Sequence, residues 1–210
     1  LRDTARFLLA RHPIFFPLRN KKLSDESTLK FVVIGDGELA KNLVREAAHL
    51  MSFHKELNIT PKIILLSPFG RSLTTELKTV NPELAKQVEE SDDVLLPGFN
   101  LPPSKKGITL AEKINELIGS GDALYFAIAF SQYNLNNLKV AITVREIVLR
   151  NQIQSDTLYA EIPVAFYCSD PDVAFLARRS IVLGEEYKDS PTQFNSYGLI
   201  PFGSRQIGRA

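Results

Sequence analysis

Apolar residues along this chain fall into two alternating rhythms. Runs without a polar break, Lys30-Phe-Val-Val-Ile34, Lys62-Ile-Ile-Leu-Leu66, Val94-Leu-Leu96, Asp122-Ala-Leu-Tyr-Phe-Ala-Ile-Ala-Phe130 and Ile162-Pro-Val-Ala-Phe-Tyr167, read as strands covered on both faces. Between the first two, Leu39, Leu43, Val44, Ala47, Ala48 and Met51 recur at helical spacing, with Lys41, Asn42, Arg45 and Glu46 interleaved. Pro82 to Glu90 suits a helix capped by Asn81, and Thr109 to Ile118 one capped by Thr109. Asn134 to Asn151 suits a long helix, and Asp170 to Ile181 another. Asn195 to Ser204 reads as a loop, a short sixth strand at the sheet edge and a turn. Strands alternating with helices predict an α/β fold: a Rossmann-like, doubly wound parallel sheet of about six strands, ordered 3-2-1-4-5, with helices on both faces.

This pattern occupies residues 30–204 as one domain, with an N-terminal extension over 1–29 and a tail over 205–210. The extension mixes Phe7, Leu8, Leu9, Ile14, Phe15 and Phe16 with Arg2, Arg6, Arg11 and Arg19, and is broken by Pro13 and Pro17. It is expected to pack on the outside of the domain as a short docking segment, with the polar Lys21 to Thr28 as connector. A start at Leu1 rather than methionine raises the expectation of processing or of a longer protein, with a membrane or partner domain upstream.

Composition then narrows the function classes. With 210 residues the chain can bury one substantial core. A formal net charge of +1 supplies no overall field toward nucleic acid or an anionic membrane, and two arginines in the tail make no nucleic-acid groove. Cys168 is the single cysteine, so no internal disulfide forms, and His12, His49 and His54 lack metal-ligand spacing. No run approaches the roughly 20 apolar residues of a membrane span. A cytoplasmic, metal-free domain is expected.

The chemistry-bearing motif is Gly35-Asp-Gly-Glu-Leu-Ala40, directly after a strand and opening a helix. In a dinucleotide fold the first glycine permits the turn, the second lets the backbone approach a pyrophosphate, and a third small residue, here Ala40, lets helix and strand pack closely. Amides at the helix start then face the phosphates. Asp36 and Glu38 work against an anion there. At the end of the second strand, where an acidic residue would hold the ribose hydroxyls of NAD, the chain has Ser67, followed by Arg71, which suits a ribose phosphate.

The order of these motifs resembles the nucleotide-binding domain that regulates potassium channels and potassium-uptake systems, the RCK or TrkA-N type. Val32-Val-Ile-Gly-Asp-Gly-Glu-Leu-Ala40 is similar to that family's opening turn. Asp122 to Phe130 with Asn134 to Val148 resembles its fourth strand and long helix, and Ile162 to Arg178 its fifth strand and helix. The resemblance implies a non-catalytic regulatory domain, paired as a homodimer, that binds NAD(H), NADP or another adenine nucleotide and controls ion movement. The implied ligand-contacting residues are Gly35, Asp36, Gly37, Glu38, Leu39, Ala40, Ser67, Arg71, Ala129 and Phe130.

Rival readings are an NAD(P)-dependent oxidoreductase, a methyltransferase and a Rossmann scaffold without a ligand. An oxidoreductase needs a substrate region for which few residues remain, and Tyr125 and Lys139 lack the four-residue spacing of short-chain dehydrogenases. There is no serine in a Gly-x-Ser-x-Gly setting for a hydrolase. Asp170-Pro171 reads as a helix cap, Cys168 as a small buried hydrophobe, and His49 and His54 as solvated groups near a helix end.

Overall fold

The computed structural model describes residues 1–18, 27–52, 59–67, 75–76, 79, 82–96, 107–130, 134–155, 162–179 and 199–203. The apolar runs form a six-stranded sheet whose pairs are all parallel: β1 (Ser27–Asp36), β2 (Ile59–Leu66), β3 (Val88–Ser91), β6 (Ala123–Phe130), β7 (Val164–Tyr167) and β8 (Leu199–Phe202), in the order β3-β2-β1-β6-β7-β8. A separate two-stranded sheet joins β4 (Val94–Leu95) to β5 (Ile108–Thr109). The expected doubly wound parallel order is present, and the C-terminal apolar run is its edge strand. β6 is buried along all eight residues, as its unbroken apolar sequence requires of a central strand.

The third sheet strand is not the one expected. Val94–Leu95 leaves the main sheet, and Val88–Ser91 takes the third position, inside the span expected to be helical; only α3 (Pro82–Ala85) of that span is a helix. Ala85 and Val88 are spaced as on a helix face, but Val88 and Glu90 also alternate with the exposed Glu89. The unpaired edge of β2 decides between the two periods. Its Ile63 to Leu66 take Val88 to Ser91 as a hydrogen-bonded neighbour, which satisfies a row of backbone groups that a longer helix would leave open.

Alternate residues of β1 divide the core. Phe31 and Val33 face a layer with α1 (Arg2–Arg11) and α2 (Gly37–Ser52); Val32 and Ile34 face one with α4 (Leu110–Gly119), α5 (Asn134–Ser155) and α6 (Pro171–Arg179). Right-handed crossovers force this division, because the chain winds one way from β1 through β3 and the other way from β6 to β8. The same rule leaves the α2 side of β6 without a crossover helix. The N-terminal segment fills that gap: Ala5, Leu8 and Leu9 of α1, Ile14, and Leu18 in the 3-10 turn Phe16–Leu18 are buried with Ala123, Tyr125 and Ala127.

Apolar burial dominates this docking. Each buried leucine or isoleucine contributes about 2 kcal/mol, whereas the ion pairs of Arg2 and Arg6 with Glu46 (2.8 and 3.1 Å) join arginines that are 65% and 52% exposed, and therefore screened. The pairs orient α1 more than they hold it. At the start of α4, Thr109 accepts from the Glu112 amide while the Glu112 carboxylate accepts from the Thr109 amide (3.2 and 2.7 Å), a capping box that bears out the expected cap.

Candidate functional site

β1 and β6 are neighbours in space but diverge in winding, so their carboxyl ends form the topological switch point, the crevice where doubly wound sheets bind ligands. Gly35-Asp36-Gly37 lies there. Gly35 is still in the strand, opposite Ala129, and a Cβ at that position would strike the Ala129 carbonyl, 2.7 Å from its carbon. Only glycine permits that approach. Gly37 opens α2 with φ +67°, in the left-handed region where a side chain is strained. Leu39 and Ala40 are buried in the α2-side core that also contains Ala129.

The two acidic residues of the turn behave differently. Glu38 is exposed, and its carboxylate turns along the helix toward Lys41 and Arg45, each at 3.9 Å. Lys41 and Arg45 also hold Glu76, at 3.0 Å for Lys41, and a hydrogen bond from Lys41 together with the two cations keeps the Glu76 carboxyl below its ordinary range. Asp36 is half-buried at the end of β1, and burial pushes its carboxyl above the ordinary value despite a hydrogen bond to its own main chain. Of the two acids, Asp36 is the one withdrawn from water.

On the β2 side, Ser67 is buried and its amide donates to the Ser91 carbonyl at 2.9 Å. Ser91 in turn donates its hydroxyl to the Asp93 carboxylate. Ser91 and Asp93 thus join Ser67 at the sheet's carboxyl edge, a grouping that sequence reasoning misses because it places Val88 to Ser91 near a helix. The sequence Val88-Glu-Glu-Ser91, with one apolar residue, carries no strand signal; the burial of Glu90 beside Val88 arises only in the fold. Arg71, His54 and the basic tail lie outside the described residues.

On the β6 side, Ala129 and Phe130 end the strand and are fully buried. Asn137 of α5 is also fully buried: its carbonyl oxygen accepts from the Phe130 amide (2.9 Å), and its amide nitrogen donates to the Phe130 and Tyr167 carbonyls (2.7 and 2.9 Å). This residue, which sequence reasoning also misses, ties the carboxyl ends of β6 and β7 to α5. Phe130 packs its side chain in the core on the α5 side while its main chain is engaged by Asn137. One of the three asparagines in Asn134-Leu-Asn-Asn137 carries no sequence signal that sets it apart for such a role.

The remaining candidates are structural. Asp170 caps α6, accepting from the Asp172 and Val173 amides at 2.8 and 3.3 Å. Cys168 is buried, donates to the Asp170 carbonyl at 3.1 Å, and has its thiol pushed up chiefly by burial. His49 is exposed near the end of α2. Among the described residues there is no group of three or more metal-ligating side chains, and no helix is long and apolar enough to cross a membrane. Comparison with protein-family models, curated proteins and solved structures returns no match, so the site has to be read from its own geometry.

Proposed function

We propose that this chain is a non-catalytic regulatory domain that binds an adenine nucleotide or a nicotinamide dinucleotide across the carboxyl ends of β1, β2 and β6, in the manner of the RCK or TrkA-N domains it resembles. The observation that carries the reading is the glycine turn at the switch point, with Gly35 against the Ala129 backbone and Gly37 opening a 16-residue helix. A phosphate at the first turn of α2 gains the helix dipole and main-chain donors, and the turn offers it no side chain at Gly37. Glu38 leaves that position clear by turning to Lys41 and Arg45. The hydroxyl and carboxylate of Ser91 and Asp93, beside Ser67, are the groups suited to ribose hydroxyls or an adenine amine. Control of potassium or other ion movement, and pairing of two domains, come from the resemblance and belong to the same proposal.

The test is thermal unfolding with AMP, ADP, ATP, NAD and NADP. A ligand specific to the folded state adds about 2.7 kcal/mol at a hundredfold excess over its dissociation constant, which is readily seen as a raised Tm. Asp36→Asn is expected to tighten binding by removing a carboxylate from the crevice, and Asp93→Ala to weaken it. Ser67→Asp is expected to favour a free ribose diol, and Arg71→Ala to weaken ligands with an extra phosphate. If neither parent nor Asp36→Asn responds to any nucleotide at millimolar concentration, the turn is structural. Turnover of a nicotinamide cofactor with a small alcohol or carbonyl would defeat the non-catalytic claim.

A further inference from the structure

We propose that α1 is a regulatory strap whose docking on α2 is thermodynamically linked to the state of the glycine turn, because both act on one helix. The nucleotide half of this linkage rests on the proposed function, and the mechanical half does not. A ten-residue helix is too short to persist alone in water, so α1 is either docked and helical or released and unfolded. That makes it a two-state element. Its anchors are Ala5, Leu8 and Leu9 in the α2-side core and the Arg2 and Arg6 pairs to Glu46, a buried carboxylate in the middle of α2. Glu46 and Gly37 are nine residues apart on one helix, about 14 Å of rigid rod.

The first turn of α2 cannot absorb a tilt applied at Glu46. Gly35 is held against the Ala129 backbone, and Leu39 and Ala40 are buried, so movement of the helix reaches the turn directly. The docked state is also not the best arrangement for every group it covers. Tyr125 is fully buried in the core that α1 and the 3-10 turn complete, and its hydroxyl has no hydrogen-bond partner among the described residues. Releasing α1 together with the Phe16–Leu18 turn, which packs on β6, lets water reach that hydroxyl, which biases the element toward opening. A ligand that fixes the turn strengthens docking, and by reciprocity release of α1 weakens that ligand by the same factor.

Hydrogen exchange read by mass spectrometry on the whole chain tests this in two arms. Without nucleotide, Leu8→Ala with Leu9→Ala is expected to speed exchange at Leu39 to Val44 about fivefold or more, and separately the milder Glu46→Gln, which removes only the screened pairs, about twofold, each leaving Phe31 to Ile34 unchanged. Tyr125→Phe is expected to slow exchange in Arg2 to Arg11. Faster exchange in α1 with Leu39 to Val44 unaltered overturns the mechanical link, and Glu46→Gln still decides the matter if the double variant does not fold. In the second arm, ATP or NAD at millimolar concentration is expected to protect both Glu38 to Leu43 and Arg2 to Arg11. Protection of Glu38 to Leu43 alone overturns the linkage and leaves nucleotide binding standing. Protection nowhere overturns the nucleotide half together with the proposed function, while the first arm still decides the mechanical half.

Discussion

Two strand-to-helix turns at the carboxyl edge of the sheet solve the same problem in opposite ways. After β7, the amides that open α6 are filled from within, because Asp170 accepts from Asp172 and Val173. After β1, the chain passes through Gly35 and Gly37, Asp36 hydrogen-bonds its own main chain, and Glu38 turns away to Lys41 and Arg45. A capped end has its donors occupied by a residue of its own and serves stability. An end entered through glycines, one of them pressed on the neighbouring strand, gives up side-chain contacts to gain close backbone approach. That difference, more than the glycine pattern itself, makes the β1 turn the candidate site.

The contrast can be broken most forcefully at Gly35. Gly35→Ala is expected to destabilise the fold by about 3 kcal/mol, since the new methyl would meet the Ala129 carbonyl and β1 and β6 would have to part. Urea unfolding measures this; a loss under about 0.5 kcal/mol would mean that the close approach is incidental. Next is Asn137→Leu, which removes three buried hydrogen bonds to the main chain of Phe130 and Tyr167 and is expected to cost about 2 to 3 kcal/mol. It should also loosen the carboxyl ends of β6 and β7, visible as faster amide exchange there. Asp170→Ala is expected to cost only about 1 kcal/mol, the ordinary value of a lost cap, with no effect on a nucleotide at the β1 turn.

The smallest effect is the pH dependence, and its sign differs between two acids. Burial raises the Asp36 carboxyl, so the folded state disfavours its charge, and stability is lost as pH rises from the ordinary carboxylate range through the raised value. Asp36→Asn is therefore expected to be more stable than the parent at neutral pH, with the difference fading in acid. Glu46 runs the other way. Against the opposing effect of burial, Arg2 and Arg6 hold its carboxyl low, so its contribution is present above the ordinary carboxylate value and lost as pH falls through the lowered one. Melting curves of parent, Asp36→Asn and Glu46→Gln between pH 3 and 8 separate the two.

Strand cores, helix faces and helix caps were legible in the sequence because each depends on residues within a few positions of one another. Phe31 to Ile34 and Asp122 to Phe130 are apolar enough to demand burial on both faces, and Thr109 and Asp170 carry their capping chemistry within three residues. The turn Gly35 to Ala40 was visible for the same reason. Tertiary structure alone decided whether Val88 to Ser91 would be helix or strand, because its one apolar residue specifies neither and the open edge of β2 supplied the partner. It alone brought Asn137 to Phe130 and Tyr167, 7 and 30 residues away, and Ser91 to Ser67. It alone set α1 on the side of β6 that the crossovers leave bare. Local periodicity records which face of an element is apolar, whereas the identity of its neighbour depends on chain winding and on which backbone groups remain unpaired once the sheet has assembled.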